Sequence, residues 1–173
     1  MKPLVKVPLT YGAVAGFLGG LLVIGLFYIK PHPFLIPVYF DYRIFIFAVF
    51  LFFTLKELRE VHYSGIFYFW QGLISSLIFV WVFALIASSV IWMFSLIVPE
   101  FVQSYVRFSI QQLKGMPQDI IEKVGKEVYD RNLELLPSTN GFDLALLYFG
   151  QSFLIGLFIS IILSVIFRRQ PKT

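Results

Sequence analysis

The chain has 173 residues, of which 58% are hydrophobic and 19% aromatic, with Phe alone contributing 21 and charged residues only 14%. Soluble domains carry roughly 45–50% apolar and about 25% charged residues, so this composition excludes a disordered segment or an ordinary water-soluble domain. Cysteine is absent, which removes disulfide scaffolds and thiolate metal sites, and the formal net charge is +4.

A bilayer core calls for about 20 mostly apolar residues per helix. The first window that qualifies covers 9–29, bracketed by Lys6 and Lys30. Lys2 and Lys6 ahead of an apolar run, with Ala13-Val14-Ala15 behind, imitate a cleavable signal, but the apolar stretch before that point is too short, so a retained helix is expected. Gly12, Gly16 and Gly20 recur every fourth residue along one face of it. Small residues mark the seams where membrane helices approach closely. This seam fits packing inside the chain, or pairing between copies.

The second window, 38–55, ends at Lys56-Glu57. Asp41 and Arg43 stand near its start, two positions apart, and helical spacing predicts that they point to different faces. An interfacial pair is one reading, with the acid favoured by the helix dipole and the arginine reaching to the headgroups. A polar pocket in which Gln151 reaches Asp41 is the other. Lys56 to His62 then clusters charge, and Glu57, Glu60 and His62 offer metal-binding atoms. Metal sites need three or four converging ligands, and the other histidine, His32, falls at the opposite side, so contact with anionic lipid by Lys56, Arg59, Arg168 and Arg169 is the expectation.

The third window, 66–98, is too long for one upright span, so an interfacial first turn or a tilt is expected. Gln71 lies early in it and suits an interhelical hydrogen bond, too far from Asp41 to share one site. Residues 99–143 then carry two amphipathic stretches. Phe101, Val102, Tyr105, Val106, Phe108 and Leu113 share one arc, and Ile120, Ile121, Val124, Val128 and Leu135 share the next. Gly115 and Pro117 separate them, and Glu122/Lys126 and Glu127/Arg131 have the favourable i,i+4 order. This hairpin either folds over the helix ends and headgroups or docks a partner. The fourth window, 144–167, stops at Arg168-Arg169 and carries Gly156, Ser160 and Ser164 on one face.

The fold expected is all-α: a single membrane domain, 1–173, built as a four-helix bundle with an extramembrane helical hairpin between helices three and four. Four spans put both termini on one side. Lys2, Lys6, Lys56, Arg59, Arg168, Arg169 and Lys172 crowd helix ends on that side, whereas Lys30, Arg43, Arg107, Lys114, Lys123, Lys126 and Arg131 are spread over a stretch where acids outnumber bases. Density of positive charge therefore places both termini in the cytoplasm. The charge fits membrane orientation better than nucleic acid. Serines in the spans lack a histidine at the same depth, and the glycine row lies mid-membrane with its backbone donors used by the helix, so neither nucleophilic catalysis nor a phosphate loop is expected.

Several motifs point further. Tyr11-Gly12 and Gly16, Ser64-Gly65-Ile66, Phe69-Trp70-Gln71-Gly72, Pro99-Glu100-Phe101 with Tyr105 and Gln112-Leu113, and Gly156-Leu157-Phe158-Ile159-Ser160 with Arg168-Arg169 follow one another along the chain. Together they resemble a bacterial family of four-helix membrane proteins catalogued as domain of unknown function 4199. The resemblance covers nearly the whole chain and implies no catalytic residues and no cofactor. It also implies a gene neighbourhood that often includes a membrane-associated glycosyltransferase, and through that association a partner of that kind. The leading expectation is a non-enzymatic inner-membrane scaffold or accessory subunit, packing with itself or with another membrane protein. The alternatives are a small oligomeric transporter or channel using Asp41 or Gln151, and an enzyme on lipid-linked substrates using Glu57, Glu60 or His62.

Overall fold

The computed structural model describes residues 2–29, 32–37 and 41–170, so Lys30, Lys172 and the first residues of the 38–55 window lie outside the described residues. Within these limits the chain is all helical, and its one β-type contact is an antiparallel bridge between Phe67 and Arg169. Three helices are long and apolar enough to cross a membrane: α1 (Pro3–Ile29), α3 (Phe69–Ile97) and α7 (Gly141–Phe167). At 1.5 Å per residue they run roughly 40–44 Å, against about 30 Å of hydrocarbon.

Each departs from its expected start for a local reason. Helix α1 begins at Pro3, ahead of the expected 9, and carries Pro8 inside it. Proline removes the N–H that would bond the carbonyl four residues back. That carbonyl belongs to Leu4, and Ser75 Oγ of α3 donates to it at 3.3 Å. Helix α3 starts at Phe69 because the Gln71 side chain caps it, with Oε1 accepting from Tyr68 N at 2.9 Å. Gln71 is therefore a helix cap and not an interhelical bond. Helix α7 starts at Gly141, behind a reciprocal cap. Asn140 Oδ1 accepts from Phe142 N and Asp143 N, while Asp143 Oδ2 accepts from Asn140 N at 2.9 Å.

Helix α2 (Tyr42–Glu57) has 16 residues and runs on through a π turn, Leu58–His62. Between α3 and α7 lie α4 (Glu100–Lys114), α5 (Gln118–Val124) and α6 (Lys126–Leu135). The single second helix expected from the apolar arc is broken at Gly125, whose φ of +96 suits glycine alone. The break also separates Glu122 from Lys126. Neither that pair nor Glu127/Arg131 closes, and Lys123 pairs with Asp119 at 3.8 Å instead. Helix α4 docks through Phe101, Ser104 and Ser109, whereas α5 and α6 bury nothing.

Helix α3 is the central element, packed against α1 on one side and α7 on the other, and α2 touches both α1 and α7. The small residues explain these approaches. A Cβ on Gly12 or Gly16 would lie 2.8 Å from the carbonyl oxygen of Phe79 or Phe83, and one on Gly20 would lie 2.8 Å from Val90. On α7, a Cβ on Gly156 would lie 2.6 Å from the Val80 methyls, and Ser160 and Ser164 are buried in the same row. Both rows therefore face α3. The core between the helices holds Phe47, Leu51, Phe79, Phe83 and Ile91, and a smaller cluster of Val7, Leu55, Leu58, Phe67 and Phe167 closes the end where α2 finishes.

Candidate functional site

Polar side chains converge where α2 begins. Asp41 is the N-cap of α2, and its Oδ1 accepts from Arg43 N at 2.9 Å. The cap residue is extended (φ −69, ψ 111), so helical spacing does not govern it, and the expectation that Asp41 and Arg43 point apart is corrected. The Asp41 carboxylate folds over the first turn and grips the Arg43 guanidinium. Arg43 Nε donates to both carboxylate oxygens at 2.8 and 2.9 Å, and Nη2 also donates to Oδ2.

Helix α7 supplies the other acceptors. Gln151 Oε1 receives Arg43 Nη2 at 2.9 Å, Ser152 Oγ receives Nη1 at 3.3 Å, and the Tyr148 carbonyl lies at 3.4 Å. The guanidinium also sits 4.6 Å above the Tyr148 ring, and Tyr42 OH donates to Tyr148 OH at 3.2 Å. Tyr148, Gln151 and Ser152 share one face because three- and four-residue steps return to it. Gln151 thus belongs to the site through Arg43, not by direct contact with Asp41. Gln71 caps α3 elsewhere and plays no part in it.

The pair is 8% exposed on each side and electrically neutral, with every guanidinium nitrogen donating. Isolated charges cannot be buried without such compensation. Above it opens a cavity of about 270 Å³, lined by Phe34 and Pro37 of the loop, Asp41, Arg43, Gln112 of α4 and Gln151. The arrangement binds α2 to α7 and leaves carboxylate, amide and phenol edges facing a small polar space.

The adjoining loop is held by His32, which the sequence placed apart from Glu57, Glu60 and His62 and gave no role. His32 is 3% exposed, packed edge-on or tilted among the rings of Phe27, Phe34, Phe101 and Tyr105. Its Nε2 donates to the Phe101 carbonyl at 3.0 Å and its Nδ1 accepts from Phe34 N at 3.3 Å. One ring nitrogen donating and the other accepting is the neutral imidazole. Burial pushes its pKa down to about 4, against a smaller upward pull from the Phe101 carbonyl. Among the described residues no three His, Asp or Glu side chains converge as metal ligands.

Residues 10–169 match the family model described as Protein of unknown function (DUF4199). The chain belongs to the DUF4199 family. No curated protein and no solved structure matches it. The DUF4199 description names no activity, so the roles of Asp41, Arg43 and Gln151 rest on the geometry above. Tyr148 and Ser152 were legible only as neighbours of Gln151 at helical spacing. Ser75 had a signal in Pro8, which frees a carbonyl for some donor.

Proposed function

We propose that this DUF4199 chain is a multi-pass membrane protein with a non-enzymatic role, a scaffold or accessory subunit that packs with itself or with another membrane protein. In this reading α2 is a fourth span, 1–173 is a single membrane domain, and α4 to α6 form the extramembrane segment between the third and fourth spans. Both ends of the sequence lie on the cytoplasmic face of a bacterial inner membrane. The apolar exterior supports this: Phe17, Phe45, Phe53, Trp81, Leu85 and Phe158 are all exposed by 49% or more. Apolar patches of that extent need lipid or protein against them.

The observation that carries the non-enzymatic reading is that every guanidinium nitrogen of Arg43 donates to Asp41 or to helix α7. A buried charge with all its donors engaged serves to join helices. The test is mild detergent extraction with crosslinking, followed by sizing and identification of whatever co-purifies. Stable co-purification with a second copy or a membrane protein is expected, and the family resemblance makes a membrane glycosyltransferase one candidate. A lone monomer in several detergents would count against the proposal.

The 270 Å³ cavity favours a second reading, a small transporter or channel acting as an oligomer, because embedded polar groups line solute paths. Solute flux in proteoliposomes that is lost in Gln151→Ala would promote it.

A further inference from the structure

The far end of the helices, where α1 begins and α2 finishes, holds another cavity of about 650 Å³. Lys6, Val7, Thr10 and Tyr11 of α1 line one wall, and Glu57 and His62 the other. The π turn makes this wall. Its wider backbone bonding, with Tyr63 N donating to Leu58 O at 3.0 Å, brings His62 back beside Glu57. In an α-helix, at about 100° per residue, positions five apart diverge.

The charges here are not spent. Tyr11 OH donates to Glu57 Oε2 at 2.8 Å, which fixes the carboxylate. Glu57 Oε1 stands 3.9 Å from His62 Nε2, beyond a hydrogen bond, so that oxygen keeps its capacity. Lys6 has no carboxylate partner among the described residues, whereas the nearby Arg59 is taken by Glu60 at 3.1 Å and by the Phe167 ring. The His62 and Glu57 side chains are 32% and 36% exposed, so both are reachable from the cleft they line.

We infer that this cleft receives the headgroup of an aminophospholipid, with the primary ammonium on Glu57 and the phosphate on Lys6 and His62. The inference rests on the membrane reading above. A lone phosphate would meet the Glu57 carboxylate and a lone amine would meet Lys6, whereas a zwitterion satisfies both. The carrier is a lipid because Val7 floors the cleft and the outer faces of α1 and α2 beside it are apolar, with Val14, Phe17 and Phe53 exposed for acyl chains. A primary ammonium donates hydrogen bonds to Glu57, and the quaternary ammonium of choline has none to give.

The test is native mass spectrometry of the full chain in mild detergent, titrated with phosphatidylethanolamine, phosphatidylcholine and phosphatidylglycerol of identical acyl chains. Ethanolamine lipid should bind about tenfold more tightly than choline lipid, the factor carried by one charge-assisted hydrogen bond. Glu57→Gln keeps an acceptor for Tyr11 and should erase that preference without weakening phosphatidylglycerol. Lys6→Ala should weaken all three lipids. Equal binding of the three lipids, or a preference surviving Glu57→Gln, overturns the inference. So does displacement of the lipid by free phosphoethanolamine at equal concentration. Release of the protein from membranes by carbonate would instead defeat the membrane reading on which the inference stands.

Discussion

The contact between α1 and α3 gives a prediction with a built-in control. Replacing Gly16 by Ala puts a methyl group 2.8 Å from Phe83 O, 3.0 Å from Phe83 Cα and 3.1 Å from Ile86 Cβ. Carbon contacts are comfortable at about 3.5–4.0 Å, and two of the three neighbours here are backbone atoms that cannot rotate away. Helix α1 must retreat by roughly 0.5 Å, and a gap of that size forfeits about a quarter of each dispersion contact along the seam. Overpacking of this kind costs about 1–3 kcal/mol. Alanine returns up to about 1 kcal/mol of helix propensity. Gly25 lies in the same helix and Gly150 in α7, and a Cβ on either meets nothing within 4 Å. Gly25→Ala and Gly150→Ala should therefore be neutral or slightly stabilising. The gap between Gly16→Ala and Gly25→Ala isolates the clash, at about 1–3 kcal/mol. Unfolding in mixed micelles with rising SDS, followed by circular dichroism, measures it. Equal midpoints for the two variants would refute the close approach of α1 to α3.

Three other outcomes follow from named contacts. Ser75→Ala strands the Leu4 carbonyl and should cost about 1–2 kcal/mol, while the same change in a Pro8→Ala background should cost much less, because the helix then bonds that carbonyl itself; a double-mutant cycle reads the coupling. Arg43→Met leaves Asp41 buried without its partner and should cost about 3–5 kcal/mol, and adding Asp41→Asn should recover part of that loss in the same micelle assay. His32 has a folded pKa of about 4 against an ordinary 6.5, so the unfolded chain binds more protons between those values. Stability should be complete above pH 6.5, fall as the pH drops, and level off near pH 4 after a loss of about 3 kcal/mol. His32→Asn should flatten that pH profile, and an unchanged slope would show that another group drives it.

Much of the chain's architecture could be seen in the windows because hydropathy is a local property. Residues 9–29, 66–98 and 144–167 are apolar whatever they touch; α1 and α7 cover the first and last, and α3 covers 69–97 of the second. The ends were less legible. Side-chain capping by Gln71 and Asn140, and the tolerance of Pro8 inside α1, depend on where single hydrogen bonds go. The second amphipathic helix failed as a unit because its apolar arc runs through Gly125 without interruption, and periodicity carries no information about a backbone angle.

The sequence alone settled that the chain is helical and built around apolar helices, since composition and continuous apolar runs decide how a backbone must satisfy its own hydrogen bonds. It also placed small residues at Gly12, Gly16, Gly20, Gly156, Ser160 and Ser164, where close approach is cheap. Only the tertiary structure decided what approaches them. Both rows face α3, because Phe79, Phe83 and Val80 present backbone and methyls at the right register. The polar cluster is tertiary in the same sense. Asp41, Arg43 and Gln151 are more than a hundred positions apart at the extremes, and their pairing required the cap at α2 to fold back and α7 to lie beside it. Charge complementarity acts across space, whereas the pattern in a sequence records only distance along the chain.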